Sequence, residues 1–408
     1  MTGRTGGVGP AGASRFETLD ALRGVCALAI ALFHMPLGYP LRTAPRLDNL
    51  QFCVDIFFVM SGFVLLHAYG HRLGSPREAA RFVLVRFGRL WPLHAATLAL
   101  LVAVECLRFA YLARHPEAHA ATPPFGDGRR PAEIATNLLF LQDFVTFGEL
   151  SWNFPAWSIA VEFYAALILA GVVMLVGPGA RWAFAALALL AGLALHAISP
   201  NSLFVIRDWG ILRCLFDVFA GCLAYGLRDA ARVPPRLASA SEAAALAASL
   251  AVVALAPPGG LAYGAPLVFA VAVGLASHGR GLLSALARRG PLQSLGRWSF
   301  SIYLLHLPVI QVFTTGLHYA APRLGLVPVE REGWIIDLGS PGLNLAVALA
   351  LVGVTVALAA LSYRLVERPS LAWFKALDRR LFAREPASAE RSPGPAGLRH
   401  AAVLYRSP

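Results

Sequence analysis

Lysine is almost missing from this chain: among 35 basic residues, Lys375 is the single lysine. Charge of either sign is scarce too, at 14% of 408 residues, where soluble proteins carry about a quarter. That shortage, beside a hydrophobic share of 57%, excludes an ordinary soluble domain. Length alone would allow two or three such domains, but the apolar residues gather in long blocks separated by Arg-rich or Pro/Gly-rich gaps. One polytopic membrane domain is the reading that fits. The five cysteines all fall in apolar blocks with no CxxC spacing, which leaves no zinc or redox motif and makes them small buried hydrophobes. No internal repeat is visible, and neither a P-loop nor a dinucleotide fingerprint occurs. No A-x-A-like cleavage site follows the first apolar run, so that run is read as a retained span rather than a signal peptide.

The net charge of +12 comes from arginines lying between apolar blocks. Their placement speaks for orientation in a bilayer and against nucleic acid as a partner. With about 20 apolar residues per crossing, spans are expected at 19–38, 51–69, 90–113, 156–176, 182–199, 209–227, 238–256, 261–278, 298–317 and 342–363. The fold class is therefore all-α, a helical bundle of about ten transmembrane helices. The stretch 134–147, with Asn137, Gln142 and Asp143, is too short and too polar to cross and is expected at the interface or re-entrant. Alternate gaps hold most arginines, among them Arg72, Arg77, Arg81, Arg86, Arg89, Arg228, Arg232, Arg236, Arg280, Arg288, Arg289 and Arg297. The other gaps hold most acids, including Glu117, Asp127, Glu133, Glu149, Glu330 and Glu332. The positive-inside rule then sets both termini in the cytoplasm. Residues 1–15 and about 383–408 are rich in Gly, Pro, Ser and Arg and are expected to be disordered. The domain is read as 16–370, with 371–408 a basic, largely disordered tail.

Charged groups at membrane depth need a partner, a water-filled cavity or a chemical task. In LDALRGVCALAIALFH, Arg23 and His34 are eleven residues apart, close to three turns, so they share one helix face about 16 Å apart; Asp20 lies near that face. Interfacial anchoring of Asp20 and Arg23, with His34 as a packing residue, is the plainer alternative. Asp55 enters the second block, in VDIFFVMSGF, with Ser61 and Gly62 almost two turns on; small residues there permit close helix approach. RFGRLWP places Arg86 and Arg89 three apart, either as topology anchors beside Trp91 or as a clamp for phosphate. In PAWSIAVEFY, Trp157 and Ser158 open a span, and Ser158 and Glu162 are one turn apart. Glu162 is either a solvated interfacial residue or a carboxylate orienting a histidine or an acceptor hydroxyl. Arg213 and Asp217, also one turn apart, are expected to form a buried ion pair. SFSIYLLHLPV gathers Ser299, Ser301, Tyr303 and His306, and RLVERP sets Glu367 ahead of Pro369, as a cap or an interfacial partner.

Together these six stretches, in this order over about residues 16–370, resemble the bacterial membrane acyltransferase-3 family, which O-acetylates surface polysaccharides and related acceptors. The resemblance implies an acyl group, typically acetyl, taken from cytoplasmic acyl-CoA and delivered to a hydroxyl beyond the membrane. It implies a bacterial plasma (inner) membrane protein with no permanently bound cofactor and no metal. The acceptor would be a glycan, a lipid-linked sugar or a small molecule. His34, Arg23 and Glu162 would form the catalytic set. Asp20, Asp55, Ser61, Arg86, Arg89, Trp157, Ser158, Tyr303 and His306 would bind substrates, with arginines on the CoA phosphates. No HxxxxD follows His34, so the soluble glycerolipid acyltransferase motif is absent. No hydrolase-like SGNH domain accompanies the spans, which leaves acceptor handling to the membrane domain and its partners. A multi-pass transporter or exporter of an anionic or glycan substrate is the alternative, since buried Asp, Arg and His also mark transport pathways. Oligomeric state is left open.

Overall fold

The computed structural model describes residues 16–38, 47–116, 122–145, 151–199, 203–207, 209–230, 232–256, 259–320, 329–331 and 335–382. The terminal segments 1–15 and 383–408, and the loop residues Glu117, Glu149 and Glu332, lie outside them.

The fold is the expected all-α bundle. Thirteen α-helices follow in order among the described residues: α1 (Glu17–Phe33), α2 (Phe52–Tyr69), α3 (Pro76–Arg114), α4 (Ala132–Leu138), α5 (Trp157–Val176), α6 (Arg181–Ile198), α7 (Gly210–Leu227), α8 (Ala238–Leu255), α9 (Ala265–Ala276), α10 (Leu282–Ala287), α11 (Gly290–Ala320), α12 (Pro341–Ser362) and α13 (Arg368–Phe382). A short hairpin, β1 (Val329–Arg331) and β2 (Ile335–Asp337), pairs antiparallel with Val329 opposite Asp337. Eight helical stretches are long and apolar enough to cross a membrane. All ten expected spans fall on helices, the remaining two being α1, of 17 residues, and the Gly260–Ala276 helix. The expected span 90–113 is the distal part of the 39-residue α3. Of the segment 134–147, the described residues 134–145 form the rest of α4 and turns, not a crossing.

Local chemistry sets the helix starts. Ser75 caps α3: its Oγ accepts from Glu78 N, and the Glu78 carboxylate accepts from Gly74 N and from the Ser75 hydroxyl. Pro76 follows at the first helical position, where no N–H is needed. Ser340 and Pro341 repeat the arrangement at α12.

Glycines decide how closely the central helices approach. A Cβ on Gly62 of α2 would sit 1.9 Å from the Val218 carbonyl oxygen of α7, and one on Gly221 would sit 2.0 Å from the Val59 oxygen. The α2–α7 crossing is thus backbone against backbone, as the small-residue reading of Gly62 anticipated. The α1–α11 crossing has the same design: a Cβ on Gly24 would meet the Leu295 backbone at 2.6 Å, and one on Gly296 the Asp20 oxygen at 2.3 Å.

Two expectations are corrected here. Residues 371–382 are helical, not a disordered tail: α13 continues α12 through a π turn, Tyr363–Glu367, and docks on α3. Arg81 grips Asp378 bidentately at 2.6 and 2.7 Å, and Phe374 lies on Gly88, whose absent side chain makes the room. Pro369, the second residue of α13, follows directly on that π turn. Second, Cys106 is exposed on the helix surface, while the other four cysteines are buried. Outward-facing Leu175, Trp182, Leu107 and Leu189 mark the same surface as lipid-facing.

Candidate active site

The polar side chains inside the bundle converge on α1, α2, α3, α5 and α11. A small cavity of about 40 Å³ opens among them, lined by Arg23 of α1, Phe57 of α2, Ser158 and Glu162 of α5, and Ser299 and Tyr303 of α11. The pairs Ser158/Glu162 and Ser299/Tyr303 are each one helical turn apart, which is why both members face the same space.

At the end of the cavity nearer the start of α1, Glu162 Oε1 accepts from Arg86 Nη2 and from Ser61 Oγ, both at 2.6 Å. Arg86 Nη2 also approaches Ser61 Oγ at 3.3 Å. The Arg86 side chain is 10% exposed and that of Glu162 21%, so this is an ion pair sheltered on every side but the cavity. Arg23 is half-buried, within electrostatic reach of Glu162, Asp20, Arg86 and Arg89. Ser301 donates to Glu367 Oε1, and Glu367 interacts with Arg89 and Arg23. Glu367 is therefore a half-buried partner of the arginine group.

Toward the other end, three oxygens form a knot. The Tyr303 hydroxyl donates to the Pro155 carbonyl at 2.9 Å, the Ser158 hydroxyl points to the same carbonyl at 3.1 Å, and the two hydroxyls are 2.8 Å apart. One turn on, His306 is fully buried and its ring lies 5.7 Å from that of Tyr303. His306 Nε2 is 3.1 Å from His34 Nδ1, and the two rings stack with centroids 5.0 Å apart. His34 Nδ1 is also 3.0 Å from the Ile30 carbonyl oxygen, and Phe154 meets the imidazole edge-on at 5.2 Å. A carbonyl oxygen can only accept, so a proton on His34 Nδ1, shared between Ile30 O and His306 Nε2, satisfies all three atoms.

The structure thus brings together Arg23, Ser61, Arg86, Arg89, Ser158, Glu162, Tyr303, His306 and His34, with Asp20 at the margin. It separates two residues from them. Asp55 is fully buried and bound bidentately by Arg213, at 2.8 Å from Nε and 2.7 Å from Nη2. Trp157 lies under that guanidinium at 5.7 Å from its ring centroid. Both serve the α2–α7 packing and neither lines the cavity. The expected Arg213–Asp217 pair is corrected by the same geometry. Asp217 is within electrostatic reach, but the guanidinium plane is matched to Asp55 on the neighbouring helix. Four participants escaped the sequence reading: the Pro155 carbonyl, the Phe154 ring, the Asn153 amide that donates to Leu304 O at 2.9 Å, and the Ser301–Glu367 contact. Phe154 adjoins the PAWS stretch and could have been suspected; a backbone carbonyl has no sequence signal. Among the described residues, no three His, Cys, Asp or Glu side chains converge as metal ligands would.

A family model described as an acyltransferase domain, that of acyltransferase-3, matches residues 16–364. This chain belongs to the acyltransferase-3 family. It is a multi-pass membrane acyltransferase, and the cavity and histidine pair lie wholly within the matched region. The acyltransferase is also similar to "Protein 2 in picA locus" of Rhizobium radiobacter. The two are 36% identical over 154 residues, covering 36% of this chain and 77% of that relative. No solved structure matches the chain.

Proposed function

We propose that this acyltransferase takes an acyl group, acetyl in the simplest case, from cytoplasmic acyl-CoA and transfers it to a hydroxyl of an extracytoplasmic glycan or other acceptor. The observation that carries this reading is the single polar column running from the arginine group, through the cavity, to the stacked His34–His306 pair. A thioester entering beside Arg23 and Arg89 has a sheltered route of side chains toward His34. The arginine-rich gaps on the side where α1 starts support cytoplasmic termini in a bacterial inner membrane.

In the proposed step, His34 Nε2 takes the proton of the acceptor hydroxyl as its oxygen attacks the thioester carbonyl. The C–S bond then breaks, the CoA thiolate leaves, and the proton passes from His34 to that sulfur, giving an ester and a thiol. His34 Nδ1–H points at His306 Nε2, so His306 holds the base in the tautomer whose Nε2 carries the lone pair. General base catalysis of this kind contributes a factor of about 10² to 10⁴. Arg86 is tied to Glu162 and Ser61, which makes it a positioning residue for Glu162; Arg23 and Arg89 are the better candidates for the donor's phosphates.

The test compares acyl-ester content of surface glycans and extracted metabolites in cells carrying wild type, His34→Ala or an empty vector, at matched membrane levels. Ester with wild type and none with His34→Ala supports the reading and exposes the acceptor class. Undiminished ester with His34→Ala removes His34 as the base.

A further inference from the structure

Behind α1, away from the cavity already described, a second and larger cleft of about 300 Å³ lies between α1, α8, α9, α10 and the start of α11. Its wall is hydrocarbon: Leu22 and Val25 of α1, Leu246 of α8, Val273 of α9 and Leu286 of α10 are representative. Unfilled space beside an apolar wall forfeits dispersion contacts, and water fills such a cleft only where it finds two to four polar partners. The three polar side chains on the wall offer it none. Thr18 Oγ1 donates to Ser284 Oγ at 3.0 Å, and Ser249 Oγ donates to the Ala245 carbonyl at 2.9 Å. Glu242 accepts from Gly281 N at 2.8 Å, from Ser284 N at 3.0 Å and from the Ser284 hydroxyl. With its polar groups already matched internally, the space suits hydrocarbon alone.

Two further observations say which hydrocarbon. The void opens sideways at bilayer depth, since Val25, Leu246 and Leu286 on its wall are 48%, 42% and 42% exposed. Its end at α10 is strongly basic: Arg280, Arg288 and Arg289 are exposed there, and no acidic residue occurs from 275 to 297. Guanidinium groups at the membrane surface pair with phosphate oxygens. We propose that this fissure is a binding site for one chain of an anionic bilayer phospholipid, with the lipid phosphate held by Arg280, Arg288 and Arg289. The lipid would fill the gap behind α1 and so support, from the rear, the helix that carries Arg23 and His34.

The full-length protein would be placed in nanodiscs of mixed neutral and anionic phospholipid, extracted with mild detergent, and its retained lipid identified by native mass spectrometry. Wild type is expected to retain anionic phospholipid. Ala272→Trp and the milder Ala272→Leu, which build into the void from α9, are expected to lose it in proportion to their size. Leu189→Trp, on an outward-facing site of α6, controls for lipid that adheres to any apolar surface. The triple change Arg280→Gln, Arg288→Gln and Arg289→Gln is expected to abolish the preference for anionic over neutral lipid. If Ala272→Trp fails to fold, as judged by size-exclusion profile, Ala272→Leu carries the test. Equal retention by wild type and the Ala272 variants overturns the site. An anionic preference that survives the arginine changes overturns the head-group assignment, and displacement of the lipid by long-chain acyl-CoA would reassign the fissure to the donor.

Discussion

His34 and His306 stand 272 residues apart in the chain and 3.1 Å apart in space, Nδ1 to Nε2. They come from α1 and α11, which cross where Gly24 and Gly296 let the backbones touch. The pairing defines what each nitrogen does, and it leads to the first prediction.

Replacing His306 with Leu removes one of the two acceptors of the His34 Nδ1 proton and leaves only the Ile30 carbonyl, whereas Gln can return an oxygen to about the position of Nε2. Acyl transfer should fall by about 10²-fold in His306→Leu with KM for acyl-CoA little changed, and His306→Gln should recover part of kcat. The pH–rate profile should change shape in the Leu variant. Equal loss in both variants, with the profile of wild type retained, would reduce His306 to packing.

The Asp55–Arg213 pair is fully buried, and removing Asp55 leaves the Arg213 guanidinium without its bidentate partner, with Asp217 only within electrostatic reach. Asp55→Leu should destabilise the protein by about 3–5 kcal/mol, while Asp55→Leu with Arg213→Met should restore most of that loss. Thermal unfolding of the three variants in one detergent measures it. A double variant no better than the single one would mean that the pair does more than neutralise itself.

The α2–α7 crossing has no room for a side chain at Gly62 or Gly221. Gly221→Leu should therefore cost at least the roughly 1–3 kcal/mol typical of overpacking and lower the folded yield, read as monodisperse protein after extraction. Gly171, with nothing within 4 Å of an added Cβ, is the control, and Gly171→Leu should express as wild type does.

In the turn beyond the end of α9, at Ala276, His278 has its pKa lowered by burial and then by Arg228, Arg280 and Arg232, with Asp229 opposing them. The folded state therefore resists protonating this ring more than the unfolded state does. The stabilisation is complete above the ordinary histidine pKa near 6.5 and is lost as the pH falls toward the folded value. Hydrogen-exchange protection in the turn after α9 should weaken on going from about pH 7.5 to about pH 5.5, and His278→Asn should remove that dependence.

Much of this architecture could be read from the chain because membrane spans write themselves as apolar runs of fixed length. All ten expected spans are helices, and the R-x10-H spacing does align Arg23 and His34 on the inward face of α1. What could not be read was partnership between helices. Asp217 sits one turn from Arg213 and was the natural guess, yet Asp55, 158 residues away, has the better geometry; local spacing is silent about which neighbour a third helix brings. Trp157 lies beside Ser158 in sequence but about 100° round α5 from it, over Arg213. The docking of α13 was hidden for a different reason, because a proline normally ends a helix and the π turn before it leaves no signature in the sequence.

Backbone contact at Gly24 and Gly296 has a mechanical consequence. With no side chain between them to slide or re-rotamerise, α1 and α11 behave as one strut, and the distance from Arg23 to His34 is a fixed length. Whatever breathing admits a thioester and releases an ester must come from the facing wall, where Ser158 and Pro155 bond to Tyr303 and Phe154 meets the His34 ring, while Glu162 is tied to Ser61 of α2 and Arg86 of α3. A crosslink within the strut should then be silent, and one from α5 to α11 should arrest turnover.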